Sequence, residues 1–157
     1  WETILEAGKS ENIRPGSPNI IDRVEAGLLS YGNEMTVENT PLECNMDKFL
    51  DIYKEEDYIG KKVLLRQIKY GIKRRIKGVI YKGPQLPTIS RPLQVFDTDK
   101  KTIIGNLTSG AFSPHFKSNI GLGMINDGYW DNNKKILVNI NDHEFREGLI
   151  KDLPLIQ

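Results

Sequence analysis

The residue types best suited to chemistry gather in one stretch, Asp22-Arg23-Val24-Glu25-Ala26-Gly27, with Tyr31-Gly32-Asn33 close behind. On a helix, Asp22 and Glu25 are i,i+3 neighbours, while Arg23 stands between them and points elsewhere. Arginine carries five N–H donors in a rigid fork that suits a carboxylate. Arg23 is therefore a candidate for reaching an anionic ligand or for locking a domain interface. The plainer alternative is a solvated helix face with ordinary ion pairs.

Other candidates are thinner. Lys73, Arg74, Arg75 and Lys77 form a basic run. On a strand, Arg74 and Ile76 share one face and Arg75 and Lys77 the other, which reads as a solvated edge or a domain contact. Nucleic-acid binding would want a broader stripe with interleaved aromatics. Thr108-Ser109-Gly110-Ala111-Phe112-Ser113-Pro114-His115 reads as a polar loop between strands, able to line a pocket, but it has no phosphate-loop pattern. The two histidines, His115 and His143, are far apart and have no ligand partners nearby in sequence, so no metal site is expected. The single cysteine, Cys44, excludes an internal disulfide and fits a reducing, cytoplasmic compartment. It reads as a buried structural thiol, because no histidine lies close enough in sequence to serve as its base.

These residues must be positioned by two kinds of element. The apolar positions Trp1, Ile4 and Leu5 have helical spacing, and Gly8 ends that pattern. Ser17 or Asn19 is a candidate cap for a second helix running through Ile20, Ile21, Val24 and Leu28. The stretch from Lys61 to Tyr70 predicts a helix with Val63, Leu64, Ile68 and Tyr70 on its apolar face, stopped at Gly71. Beyond Gly71 the period changes. Strands are predicted over Arg74–Tyr81, Leu93–Phe96, Thr102–Asn106, Asn119–Ile125 (loosened by its glycines), Ile136–Ile140 and Glu144–Ile150, with Asn141-Asp142-His143 as a turn. Short strands at this spacing indicate a small antiparallel barrel or sandwich.

The fold expectation is therefore α+β: a partial mixed α/β domain over residues 1–70, then a small antiparallel β-barrel domain over 72–157. The composition agrees with a globular chain. Of 157 residues, 38% are hydrophobic and 27% charged, with a net charge of +1. That balance gives no general pull toward nucleic acid or a membrane, and no apolar run approaches the roughly 20 residues that span a bilayer. The chain opens at Trp1, within a predicted helix, as a piece of a longer protein would. Residues 1–70 would then lack their earlier strands, and open strand edges with an uncovered apolar face would favour self-association.

Arg23-Val24-Glu25-Ala26-Gly27-Leu28-Leu29-Ser30-Tyr31-Gly32-Asn33 resembles the glycine cleavage T-protein (aminomethyltransferase) family. Thr40-Pro41-Leu42-Glu43, Asp57-Tyr58-Ile59-Gly60-Lys61, Leu107-Thr108-Ser109-Gly110-Ala111-Phe112-Ser113-Pro114 and Asn119-Ile120-Gly121-Leu122-Gly123 follow in family order. Within that family, Asn12 to Asn19 and Gly27 to Thr36 are most similar to the dimethylsulfoniopropionate demethylase branch, and Gly16-Ser17-Pro18-Asn19 departs from the usual T-protein pattern.

The resemblance implies a three-domain transferase that moves a methyl or aminomethyl group to tetrahydrofolate. Residues 1–70 would close its central folate-binding domain, and 72–157 would form its C-terminal barrel. It implies folate-binding roles for Arg23 and Tyr31. It also implies that the catalytic aspartate lies ahead of Trp1, so that no catalytic residue falls within this chain and the chain alone is inactive. Folate and a one-carbon donor are the implied partners. A glycine cleavage aminomethyltransferase and a stand-alone binding module built on the same barrel are the alternatives.

Overall fold

The structure, a computed structural model, describes residues 1–156 apart from 15, 17, 18 and 142. Three short α-helices lead into six strands: α1 Glu2–Ala7, α2 Ile20–Glu25, α3 Lys61–Tyr70, β1 Arg74–Tyr81, β2 Leu93–Phe96, β3 Ile103–Ser113, β4 Ser118–Asn126, β5 Lys135–Asn141 and β6 Glu144–Lys151. The strands close into an antiparallel barrel in the order β1-β4-β3-β2-β5-β6. The α+β division expected from the change of period is what the chain adopts. Before Gly71 the described residues hold helices, turns and an isolated bridge between Tyr31 and Met35, with no strand. The open strand edges expected there are thus absent from the described residues, and closure removes them from the barrel.

Alternation along the strands fills the barrel with Val79, Tyr81, Val95, Ile104, Leu107, Ile125, Ile136, Val138 and Ile150, each at most 1% exposed. A smaller cluster of Leu42, Ile52, Leu64 and Ile72 lies beside it, and Trp130 packs against both. A third, Val24 with Ile120 and Leu122, sits where α2 covers the outside of β4.

Four details differ from the sequence expectation, each for a physical reason. First, α2 stops at Glu25 rather than running through Leu28. Gly27 takes φ +68°, Leu28 N–H donates to Arg23 C=O and Gly27 N–H to Val24 C=O, which together make a Schellman stop. Its start is fixed by Asn19, whose Oδ1 accepts from the Asp22 N–H at 2.8 Å; the other candidate cap, Ser17, lies outside the described residues.

Second, the apolar face assigned to α3 is mostly uncovered. Leu64 is buried, but Val63, Ile68 and Tyr70 are exposed. Third, Thr108 to Ser113 belongs to β3 instead of forming a loop, and the turn is confined to residues 114–117. Fourth, the glycines of β4 do not loosen it. The strand pairs continuously with β1 from Asn119 to Asn126, and its glycines allow β3 and β4 to approach closely. The turn assigned to Asn141-Asp142-His143 is centred on residue 142, outside the described residues.

Candidate functional site

The site is built on the seam between α2 and β3. At Thr108 the β3–β4 register shifts, so that Leu107 opposes Gly123 while Ser109 opposes Leu122. This bulge reverses the alternation of β3. Leu107 points into the barrel core, whereas Ser109, Ala111 and Ser113 fall on the outer face, in register with Leu122, Ile120 and Ser118 beneath α2. The bulge thereby aims two hydroxyls at the helix.

Arg23 meets the first of them. Its Nη2 donates to Ser109 Oγ, and its Nη1 donates to Glu34 Oε2 at 2.8 Å and to Leu28 C=O at 2.9 Å. The Arg23 side chain is 21% exposed and the Glu34 side chain 0%. Glu34 Oε2 also accepts from the Ser30 N–H at 2.7 Å, and Oε1 from Thr108 Oγ1 at 3.4 Å. One carboxylate thus ties together the helix, the bulge and the turn that carries Tyr31. Tyr31 itself is 68% exposed, held by its backbone bridge to Met35.

The second hydroxyl, Ser113 Oγ, donates to the buried Glu25 carboxylate. The Glu25 C=O accepts from the Leu155 N–H at 2.8 Å, so the C-terminal tail is fastened to the same helix. Arg23 therefore acts as a lock across the seam, the interface role that its fork geometry allows. Three of its five donors are used among the described residues, which leaves two unused on a side chain that is partly exposed. The structure brings Arg23 and the Tyr31 turn together through Glu34. Glu34 is the partner to which sequence reasoning assigned no role, and Ser109 and Ser113, expected in a pocket-lining loop, are strand residues that face the helix. Their signal is tertiary: the bulge that turns the serines, and burial that pairs Glu34.

Of the basic run, Lys73 stays exposed, while Arg74, Arg75 and Lys77 make contacts. Arg74 Nε donates to Glu43 Oε1 at 3.0 Å, a contact between the barrel and the preceding segment. Arg75 lies 5.7 Å from the Trp130 ring centre, and Lys77 is buried with its ammonium on Asp152. Cys44 is buried, and burial foremost, with the Glu43 carboxylate beside it, pushes its thiol above the usual range, partly offset by Arg74. Among the described residues no cluster of His, Cys, Asp or Glu is arranged to hold a metal, and no helix is long and apolar enough to cross a membrane.

Residues 74–153, from the first residue of β1 to just past β6, match the family described as the glycine cleavage T-protein C-terminal barrel domain. The chain is 40% identical over 130 residues to the dimethylsulfoniopropionate demethylase DmdA of Ruegeria pomeroyi, covering 83% of this chain and 34% of that protein. It is also 40% identical over 131 residues to the aminomethyltransferase of Caldanaerobacter subterraneus, covering 82% and 34%. With the aminomethyltransferase of Alkaliphilus metalliredigens it shares 33% identity over 152 residues, 96% of this chain and 40% of that one. Its fold is similar to the crystal structure of the glycine cleavage system aminomethyltransferase T from Bartonella henselae, with a TM-score of 0.74 and 22% identity over 85% of this chain and 37% of that one. The chain spans about a third of the length of the first of these relatives, 34%. By the match that covers its whole barrel, the chain belongs to the glycine cleavage T-protein family, with residues 74–153 as the family's C-terminal barrel domain.

Proposed function

We propose that this chain supplies the C-terminal part of a tetrahydrofolate-dependent one-carbon transferase. Residues 1–70 close the central folate-binding domain and 72–157 form the terminal barrel. The observation that carries this reading is the distribution of exposed apolar side chains. Of the large hydrophobics exposed among the described residues, all but Ile103 and Ile156 lie within residues 1–70, Ile59, Val37 and Phe49 among them. A barrel that exposes few large apolar side chains beside a segment that exposes many is the pattern expected where further polypeptide packs on that segment.

Tetrahydrofolate, when bound, supplies the nitrogen that accepts the one-carbon unit. The partly exposed edge of Arg23 and the exposed ring of Tyr31 fit a site for an anionic, aromatic ligand. Arg23 would hold an anionic group of folate or of the donor, and Glu34 and Ser109 would keep its guanidinium oriented. By the family resemblance the catalytic aspartate belongs to the transferase's N-terminal domain, so the chain alone is expected to turn over nothing. For the donor we favour a sulfonium compound such as dimethylsulfoniopropionate over an aminomethyl-lipoyl group, on the strength of the Ser17-Pro18-Asn19 departure.

The test is to replace the C-terminal third of the Ruegeria demethylase with this chain and assay methyl transfer to tetrahydrofolate with each donor. Transfer from the sulfonium donor is expected. Arg23→Ala in the same chimera should raise the folate Kd at least tenfold, about 1.4 kcal/mol. A folded chimera that uses only the aminomethyl donor reverses the donor assignment. A folded chimera that binds no folate sinks the reading, and unchanged affinity in Arg23→Ala leaves Arg23 as a structural lock alone.

A further inference from the structure

The apolar stripe on the outside of the barrel does not end where α2 stops covering it. From Ile120, under α2, the cross-strand row continues to Ile80 on β1, then to Leu149 on β6 and Lys135 on β5. The next row brings Leu137 on β5 opposite Glu147 on β6, with the Lys82 N–H donating to the Glu147 C=O. Ile80, Leu149 and Leu137 thus floor a groove of about 640 Å³ on the outer face, separate from the Arg23 seam. That volume lies within the ~300–1,000 Å³ typical of small-molecule sites.

The rim is cationic. Lys82, Lys100 and Lys135 line it, against a single carboxylate, Glu147. Lys82 Nζ and Glu147 Oε2 pair at 2.8 Å and offset each other. Lys100 and Lys135 have no ion-pair partner among the described residues, and the Lys100 Nζ lies 5.9 Å from the Phe145 ring centre. The rim therefore carries a surplus of two positive charges in a chain whose net charge is +1. An outer barrel face needs no such concave apolar floor for solubility, since polar side chains ordinarily fill those positions.

We propose that this groove binds a small amphiphilic anion: an aliphatic or aromatic body on the Ile80–Leu149–Leu137 floor, ended by a carboxylate or phosphate between Lys100 and Lys135. The hydrophobic body supplies affinity, and the two lysines select for the charged end.

The 157-residue chain is titrated with octanoate while its backbone amide NMR signals are followed. Saturable shifts centred on Ile80, Leu137 and Leu149 are expected, with octanol and octyltrimethylammonium binding at least tenfold more weakly. Lys100→Ala together with Lys135→Ala should weaken octanoate at least fivefold, while the dispersed signals of the same spectra report an intact barrel. The absence of saturable shifts, shifts confined to residues 1–70, or equal binding of octanol and octanoate each overturns the proposal. Co-sedimentation with phosphatidylglycerol vesicles in the absence of octanoate binding overturns it too, by assigning the groove to a lipid surface.

Discussion

Arg23 and Glu34 meet through one charge-assisted hydrogen bond of 2.8 Å, and the Glu34 side chain has no exposed surface. The two residues are eleven apart in sequence and are joined only because the Schellman stop at Gly27 turns the chain back over α2. Glu34→Gln keeps the shape and an acceptor oxygen but removes the charge that faces a largely buried guanidinium. A loss of about 1–3 kcal/mol is expected, below that of a fully buried pair because Arg23 keeps a solvated edge. Urea unfolding followed by tryptophan fluorescence measures it. A loss under about 0.5 kcal/mol, the usual range for surface changes, would mean that the pair is solvated after all.

Tyr81 carries a pH signature. It is 1% exposed inside the barrel, and burial raises its phenol from the ordinary 10.0 to about 12, with Arg146 pulling in the opposite direction. A pKa raised in the folded state contributes stability that is complete below the unfolded value and is lost as pH rises through the folded one. The loss attributable to Tyr81 should therefore fall between pH 10 and about 12. The Asp97 carboxylate that accepts the Tyr129 hydroxyl hydrogen bond also raises that phenol, so absorbance at the phenolate band should show both tyrosines among the six ionising late, and Tyr81→Phe should cut the late amplitude by one tyrosine. A late amplitude left unchanged in Tyr81→Phe would reassign the Tyr81 share of it.

Much of this fold could be read from the residues, and the unread part has one cause. The strands were legible because Arg74 to Tyr81 and Ile136 to Ile140 alternate, and α3 was legible because its apolar positions suit a helix and Gly71 stops it. The seam was not legible. Thr108 to Ser113 carries the small and polar composition of a loop, and only pairing with β4 makes it a strand. Whether a serine in it faces core or helix depends on a bulge, which local sequence does not encode. Arg23 stood out by type, yet its partners Glu34 and Ser109 are set by tertiary geometry. The uncovered face of α3 was misread because an amphipathic pattern states that a face is to be covered, without stating by what.

Gly123 should be among the positions least tolerant of substitution. It opposes Leu107 at the edge of the bulge, and a Cβ placed there would lie 2.0 Å from the Asn106 carbonyl oxygen and 2.7 Å from the Leu107 Cα. Both are backbone atoms, so no rotamer change relieves the contact, and β3 would have to move away from β4. Because the same bulge aims Ser109 at Arg23, the strain should spread to the seam. Gly123→Ala is expected to destabilise the chain by about 3 kcal/mol or more, in the range of severe core overpacking. Gly128→Ala serves as the comparison: its φ of +85° adds backbone strain but nothing lies near its Cβ, so its cost should stay near 1 kcal/mol. Equal losses for the two would show that the strand approach carries no special constraint.

Self-association of the 157-residue chain should run through residues 1–70 and not through the barrel. The barrel is closed and offers no free edge for strand addition. The preceding segment exposes Trp1, Val37, Phe49, Tyr53 and Ile59, and its longest helix, α3, buries Leu64 while leaving Val63 and Ile68 uncovered. Contact between such faces removes apolar area from water at roughly 25 cal/mol per Å², so two copies gain by meeting there when nothing else covers them. Sedimentation velocity across the micromolar range should show oligomers whose share rises with concentration. Phe49→Lys with Ile59→Lys should shift the distribution toward monomer without changing the melting temperature, because both side chains are exposed in the folded chain. Lys substitution at Ile103, the exposed apolar residue of β3, should leave the distribution unchanged. A chain that stays monomeric throughout, or one dispersed by the Ile103 change instead, would place the sticky surface elsewhere and would remove the main support for further polypeptide packing on residues 1–70.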